Sequence, residues 1–455
     1  MKVGESLIHP KWGQGKVLLV YTKGGRSFAK VKFAFATDSI LLEEIEGHPN
    51  PSKAPESAPN KGKANRGQIS SRTSQAPEVV NARKGVQSLR LGQITESHVG
   101  ELSVGTNDFL LRADAAIESA RKGQPQLLMI EGAWGTGKTH LLTLLAARAN
   151  ESGFAVSTTI LDGYLYSLTD PLRLLESITS QMKFPKDVFP AGAASRLKVV
   201  FAEGKRELKS LGGERINKII STISSALIDD GEAVAILEDY MGLTLTPAAA
   251  KQKLSDLGYR YLQLPALRAK ARDERGARFV ELLNDWAAYS VAGGSKGLLV
   301  ILDELDVEYS RVRYGSDRAR RDELLRALGG INSDSSRLIV AFASAPSGDE
   351  DHSNDAVADV IKKAGVQLHE KAVKIENKDL MELGKRIYSM YGKAYPGFSN
   401  KLGAAGHTEI CRKLVRRYNA EFSPVPRRFI RSLLHCFDMI DLKQKSLEQV
   451  LESLA

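Results

Sequence analysis

The fold turns on Gln126-Leu-Leu-Met-Ile-Glu-Gly-Ala-Trp-Gly-Thr-Gly-Lys-Thr-His-Leu-Leu142: an apolar run, a glycine-rich turn and the start of an apolar-striped segment. Within it Gly132, Ala133, Trp134, Gly135, Thr136, Gly137, Lys138 and Thr139 fit the pattern GxxxxGK[ST], and the strand and helix patterns on either side are the context that pattern demands. Glycines let the backbone curl until its N–H groups point inward at phosphate oxygens, and the following helix adds its positive end. Lys138 is expected to reach the β and γ phosphates of a nucleotide, and Thr139 to hold Mg²⁺ through its hydroxyl. His140 closes this nucleotide-binding segment, although its apolar helix favours packing for it.

Working outward, a second apolar run, Gly297-Leu-Leu-Val-Ile-Leu-Asp-Glu304, ends in two carboxylates. Beside a phosphate loop, such a strand places Asp303 on the metal ion, directly or through water, and Glu304 where it orients and deprotonates an attacking water. The pair implies ATP hydrolysis over binding alone. Asn377-Lys378-Asp379 lacks the spacer of the guanine-reading NKxD motif. Ser344, at the end of the next apolar run, has two readings: a polar sensor of the γ-phosphate or the water, or a serine satisfying a turn before Pro346.

Ser423-Pro-Val-Pro-Arg-Arg-Phe429 puts Arg427 and Arg428 in the first turn of a helix. Cations there oppose the helix dipole by roughly 0.3 to 1 kcal/mol each, which a nearby phosphate relieves. Either arginine is a candidate second sensor; a solvated face and a nucleic-acid contact are the alternatives. The arginines of 309–321, among them Arg318, Arg320 and Arg321, have three readings. They supply a finger to a neighbouring subunit, track a nucleic-acid backbone, or pair with Asp317, Asp322 and Glu323 on an exposed helix.

Apolar runs at 126–130, 154–161, 297–302, 337–343 and 372–375, separated by helical patterns, predict an α/β fold: the parallel sheet of a P-loop NTPase (AAA+-like), covered on both faces. The core spans 91–375. Within it, 171–294 is patterned as helix, with Leu174, Leu175, Ile178 and Met182 on one face, and reads as a helical insertion. Beyond it Leu380, Leu383, Ile387 and Met390, then Ile410, Leu414 and Tyr418, then Phe429, Ile430, Leu433, Leu434 and Phe437 recur at helical spacing and predict a C-terminal helical lid over 376–455. Residues 47–90, rich in Pro, Ser, Asn, Gly and Lys, read as a flexible basic linker. Before it, apolar runs broken at Gly24-Gly25 and Thr37-Asp38 predict a small β-barrel over 1–46.

Of the net charge of +10, +7 falls in the first 100 residues, where 15 Lys or Arg meet 8 Asp or Glu. That excess suits phosphate backbones or acidic protein surfaces, or serves only as a solubilising linker. With 42% hydrophobic residues and no apolar run near the roughly 18 to 20 residues of a membrane span, a soluble, cytoplasmic protein with no membrane partner is expected. The first twelve residues lack the basic-then-apolar layout of a secretory signal. Cys411 and Cys436 alone build neither a disulfide framework nor a four-cysteine metal site.

Taken together, Val104-Gly105, Glu131-Gly-Ala-Trp-Gly-Thr-Gly-Lys-Thr-His-Leu-Leu142, Gly153-Phe-Ala-Val156 and Gly297 to Glu304 resemble the BREX-type ATP-binding (BrxD-like) proteins. These are P-loop ATPases of the AAA+ and related group, from bacterial antiphage defence. The resemblance extends over most of 100–440, including Leu237-Glu-Asp-Tyr-Met-Gly242 and Pro426-Arg427. Trp134, Thr136 and Thr139 depart from the Tyr, Ala and Ser expected there, conservatively for phosphate binding. Separately, the stretch from Gly4 to Val17, with His9-Pro10, resembles the small Tudor-like barrel of UvrD-type helicases and CarD-type transcription factors. The motifs point to a Mg-dependent ATPase using ATP and Mg²⁺, the resemblance implies a role in a bacterial antiphage defence system, and the basic N-terminal segment fits a DNA-associated motor, loader or switch. The alternative they imply is an ATP-controlled scaffold or transcriptional regulator that contacts RNA polymerase through the N-terminal barrel. Expected partners are DNA, other defence-system proteins of helicase or nuclease class, and further copies of the chain once ATP is bound.

Overall fold

The computed structural model describes residues 77–454 apart from 134, 186–195, 212, 263, 269–273, 312–314, 330, 332–335, 346–367, 372–374 and 421–425; of 6–9, 13–23, 26–33, 37–41 and 368–371 it describes the backbone. The chain divides into two units, Met1–Thr73 and Ser74–Ala455. In the first, β1 (Ser6–His9), β2 (Gly13–Lys23), β3 (Arg26–Phe33) and β4 (Thr37–Leu41) pair antiparallel in sequence order. The connection between β2 and β3 is the Gly24-Gly25 dipeptide, whose glycines suit a tight hairpin. Among the described residues these strands form a four-stranded antiparallel sheet in meander order. The linker expected over 47–76 lies outside the described residues.

Residues 77–90, read as the end of that linker, form instead helix α1 (Pro77–Arg90), which buries Ala82, Gly85, Val86 and Leu89. Their spacing is one helical stripe, and proline at the first position supplies a pre-set φ where no N–H partner is needed. After α2 (Glu96–Leu102) and α3 (Asn107–Arg121), the sheet begins at β5 (Gln126–Glu131) and continues with β6 (Ala155–Ile160), β7 (Leu298–Asp303), β8 (Leu338–Ser344) and β9 (Leu368–Lys371). Their order is β6-β7-β8-β5-β9, with every pairing parallel. The fifth strand, expected over 372–375, lies at 368–371. It is an edge strand, and an edge tolerates the charged Leu-His-Glu-Lys segment that a central strand would not.

Alternation along the strands explains why both faces are covered. Leu128, Ile130, Leu299, Ile301, Ile339 and Ala341 point to one face, packed with α3 and with α4 (Lys138–Glu151). Leu127, Met129, Leu298, Val300, Leu302, Val340 and Phe342 point to the other, packed with the helices between β6 and β7. Those helices include α5 (Pro171–Ser180), α6 (Glu214–Thr222), α7 (Gly231–Met241), α8 (Pro247–Asp256) and α9 (Arg275–Ala292). Fully burying each large apolar side chain contributes about 1.5 to 3 kcal/mol. α9 has buried residues on nearly all sides and forms the centre of this layer.

After β7 come α10 (Leu305–Arg311) and α11 (Gly315–Gly329). The lid is built from α12 (Asn377–Ala394), α13 (Phe398–Ala420, kinked at Gly403), α14 (Pro426–Asp441) and α15 (Leu447–Glu452). Its core contains the residues expected from their spacing, together with Val86 and Leu89 of α1. Arg90 ties α1 to the lid through Asp438 and Tyr395. α1 thus belongs to the lid although it precedes the core in sequence. Among the described residues no helix is long and apolar enough to cross a membrane.

Candidate active site

Because all five strands are parallel, their carboxyl ends share one edge, and the expected site residues gather there. The turn after β5 starts with Gly132 N–H donating to Ser344 O at 3.1 Å, which ties the loop to β8. Gly137 caps α4 at φ 99°. A Cβ at Gly137 would meet nothing closer than His140 Cβ at 3.9 Å, so glycine is required there by backbone conformation and not by crowding. Trp134 lies outside the described residues.

Register places the acidic strand opposite this loop. Thr139 Oγ1 donates to Asp303 Oδ2 at 2.8 Å, across 164 residues of sequence. Asp303 is buried, and burial pushes its carboxyl above the usual range, opposed by the Thr139 hydrogen bond, the Glu304 N–H and the charge of Lys138. Lys138 Nζ donates to Gly132 O at 2.9 Å, so its ammonium is folded over the phosphate loop. Glu304 sits at φ 64°, a left-handed conformation that costs a non-glycine residue on the order of 1 to 3 kcal/mol and gathers at functional sites. Burial first, then Asp303 and Asp306, raise the Glu304 carboxyl above its usual range, while Lys138 and Arg427 lower it. A raised carboxylate is the better general base near neutral pH.

Loop, acidic strand and lid enclose one cavity of about 470 Å³. Gly135 to Leu141, Asp303, Glu304 and Asp306 line its core side; Leu89, Gly92, Ile94, Leu383, Arg427 and Ile430 line the lid side. The apolar part suits a flat base and the loop end suits phosphates. The donor set fits Mg²⁺ as well. This ion keeps several waters and takes one or two protein groups plus phosphate oxygens, and among the described residues no group of three or more His, Cys, Asp or Glu side chains could hold a metal alone.

The two candidate sensors on the lid separate. Arg427 lines the cavity and donates from Nη2 to Gly92 O at 3.2 Å, whereas Arg428 is exposed and is not among the lining residues. Ser344 is buried and donates to the adjacent Ala345 O at 3.2 Å; it is not among the lining residues either. His140 lines the cavity, bonds Ser103 Oγ through Nε2 at 2.8 Å, and burial lowers its pKa to about 4, so it is neutral at pH 7. Of the clustered arginines, Arg321 is buried against Asp322 at 2.9 Å and Arg320 pairs with Asp317 at 3.3 Å. Arg318 is exposed. Arg321 is therefore not placed to reach a neighbouring subunit.

Two contributors escape sequence reasoning. Gly92 follows α1 at φ 75°, and a Cβ there would lie 3.2 Å from Arg427 Nε and 3.4 Å from Arg431 Nη2. Glu308, one turn past Glu304, is fully buried and accepts from Ser167 Oγ at 2.6 Å and Leu168 N–H at 3.0 Å. It anchors the turn carrying Glu304 to the loop after β6.

One strand, β8, separates the phosphate-loop strand from the acidic strand, and both end at a shared cavity roofed by helices. Strand order and site define a P-loop NTPase with the AAA+-like arrangement. Residues 80–166 match the model of a family described as BREX system ATP-binding protein BrxC/D. That span runs from α1 through the phosphate loop and β6 into the loop after it, so the resemblance read from the sequence is found again there. Among solved structures, the chain is similar to the Aeropyrum pernix ORC1 protein in complex with DNA, at 14% identity and a TM-score of 0.40, over 81% of this chain and 68% of that one. It is similar to the Aeropyrum pernix ORC2 protein in its ADPNP–ADP complexes at 13% identity and 0.39, over 76% and 67%. Drosophila ORC bound to DNA follows at 13% and 0.36, over 87% and 70%. No curated protein matches the chain. The fold assignment rests on the strand order above.

Proposed function

We propose that the chain binds Mg-ATP between its α/β core and its lid and hydrolyses it, acting as a DNA-associated motor, loader or switch in a bacterial antiphage defence system. The observation that carries this reading is the 2.8 Å bond between Thr139 Oγ1 and Asp303 Oδ2, made beside Lys138 and Glu304 in one cavity. The match of 80–166 to a family of ATP-binding proteins supports the nucleotide and the defence setting. The +7 charge of the first 100 residues supports the DNA.

In this reading Lys138 leaves the carbonyl of Gly132 for the β and γ phosphates, and the amides of 135–139 take the remaining oxygens. Thr139 and Asp303 hold Mg²⁺, which when bound neutralises charge on the transferred phosphoryl group. Glu304 orients water and takes its proton. Arg427, already in the cavity, reports the γ-phosphate to the lid. Because α1 is packed into the lid, any lid movement also moves α1.

The test is phosphate release by the full chain and by Glu304→Gln, with nucleotide affinity measured in parallel. Retained affinity with turnover lowered about 10²-fold or more is expected. Equal turnover in the two proteins would remove the catalytic assignment.

A further inference from the structure

The lid carries a strongly basic stretch. Between Glu409 and His435 seven Lys or Arg meet two carboxylates, Glu409 and Glu421. The apolar residues of α13 and α14, such as Leu414, Tyr418, Phe429 and Leu433, are buried in the lid core, which turns Arg412, Arg416, Arg428 and Arg431 outward. All four are exposed. Tyr418 Oη, within 2.7 Å of Ser432 Oγ, pins the end of α13 to the start of α14.

A solubilising surface intersperses signs, and some arginines elsewhere find acids. Arg148 is 2.7 Å from Asp114, Arg215 is 2.9 Å from Glu281 and Arg386 is 2.9 Å from Glu382. Arg412, Arg416, Arg428 and Arg431 make no ion pair with a described carboxylate. Arg428 also stands in the first turn of its helix, where the dipole disfavours a cation. Exposed guanidinium groups in this density suit an external anion. Arg412 and Arg416 are one turn apart, about 6 Å along the axis, and the guanidinium fork suits phosphate oxygens. The row is exposed and spans two helices, which matches a polymer of phosphates and not a single enclosed anion.

We infer that the outer face of the α13–α14 hairpin is a second nucleic-acid surface, contacting the phosphodiester backbone of duplex DNA through Arg412, Arg416 and Arg428. The inference rests on the DNA-associated reading above and places the contact on the lid, apart from the basic N-terminal segment. Arg427 and Arg428 are adjacent in one helix turn, one facing nucleotide and the other facing DNA, so lid position would couple the two ligands.

The experiment is anisotropy of a labelled DNA duplex with the full chain over a salt series. It compares wild type, Arg412→Gln/Arg416→Gln/Arg428→Gln, and Lys53→Gln/Lys61→Gln/Lys63→Gln in the N-terminal segment. Each lost phosphate contact lowers the slope of log affinity against log salt by about 0.9. The lid variant is expected to lose two to three such contacts, with basal ATP turnover and thermal unfolding unchanged. A lid variant with wild-type affinity and slope, while the N-terminal variant loses both, would overturn the lid surface and leave DNA association standing. A wild type with no salt-dependent affinity would overturn both. If the lid variant loses affinity for vesicles rich in phosphatidylglycerol but keeps it for DNA, the surface belongs to membranes and the proposal fails.

Discussion

On the core wall of the cavity, each functional group stands at the end of a strand or in the turn that follows it, held by short-range backbone constraints: Gly137 caps α4, Lys138 and Thr139 open it, and Asp303 ends β7. The lid wall brings Leu89 and Gly92 together with Leu383 and Arg427, about 290 to 340 residues further along the chain. A wall of the first kind is fixed once the sheet forms. A wall of the second kind depends on α1, α12 and α14 packing together. Under the proposed ATPase reading this difference would let nucleotide act on the lid, and substitutions on the two walls should separate binding from response.

The largest effect belongs to the core wall. Lys138→Ala removes the ammonium proposed to reach the phosphates, and charge-assisted hydrogen bonds of this kind contribute about 1.5 to 3 kcal/mol each. ATP affinity should fall about 10²-fold or more in a calorimetric titration, and affinity close to wild type would break the core half of the comparison. On the lid wall, Arg427→Ala should lower ATP turnover about 10-fold, as expected for one partly exposed charge-assisted bond. Arg428→Ala, one residue further and outside the cavity, should leave turnover within about 2-fold. Equal losses from the two would mean that the lid contributes general charge and no sensor.

Glu308→Gln sharpens the core side. It keeps the shape but weakens the hold on Ser167 and Leu168 N–H, so kcat should fall several-fold while nucleotide affinity is kept. A fall in affinity alone would point to a binding role instead. The smallest effect is expected from Asp285, deep in α9, which accepts from Arg215 N–H at 3.0 Å and Ile216 N–H at 3.2 Å. Burial raises its pKa to about 7. With the folded value above the unfolded one, its stabilising contribution is fully present below the ordinary carboxylate range and is lost as pH rises through about 7. Asp285→Asn should therefore melt a few degrees higher than wild type at pH 8.5 and show little gain at pH 4. A gain independent of pH would assign the effect to packing.

How far these walls were legible in sequence follows from the same physics. The phosphate loop and the Asp303-Glu304 pair could be read because local geometry dictates residue types at fixed spacing. Four of the five strands could be read because burial on both faces makes them continuous apolar runs. The fifth pairs on one side only, so its sequence carries charge, and the adjoining Ala372 to Ile375 is the more apolar run. Helix α1 was mistaken for linker because its stripe, Ala82, Gly85, Val86 and Leu89, is sparse and its partners lie in the lid. Sequence alone could not choose between Arg427 and Arg428, since adjacent residues on a helix diverge by about 100° and only the packed lid decides which one faces inward. Glu308 gave no signal, because a buried carboxylate is recognised only through the Ser167 and Leu168 that satisfy it.

The claim that both walls clasp one nucleotide is tested most directly by hydrogen exchange of the full chain with and without Mg-ATP. Protection should appear together at 135–141, at 92–94 and at 427–430. Protection confined to the phosphate loop, with the two lid segments unchanged at saturating nucleotide, would contradict a site shared by core and lid.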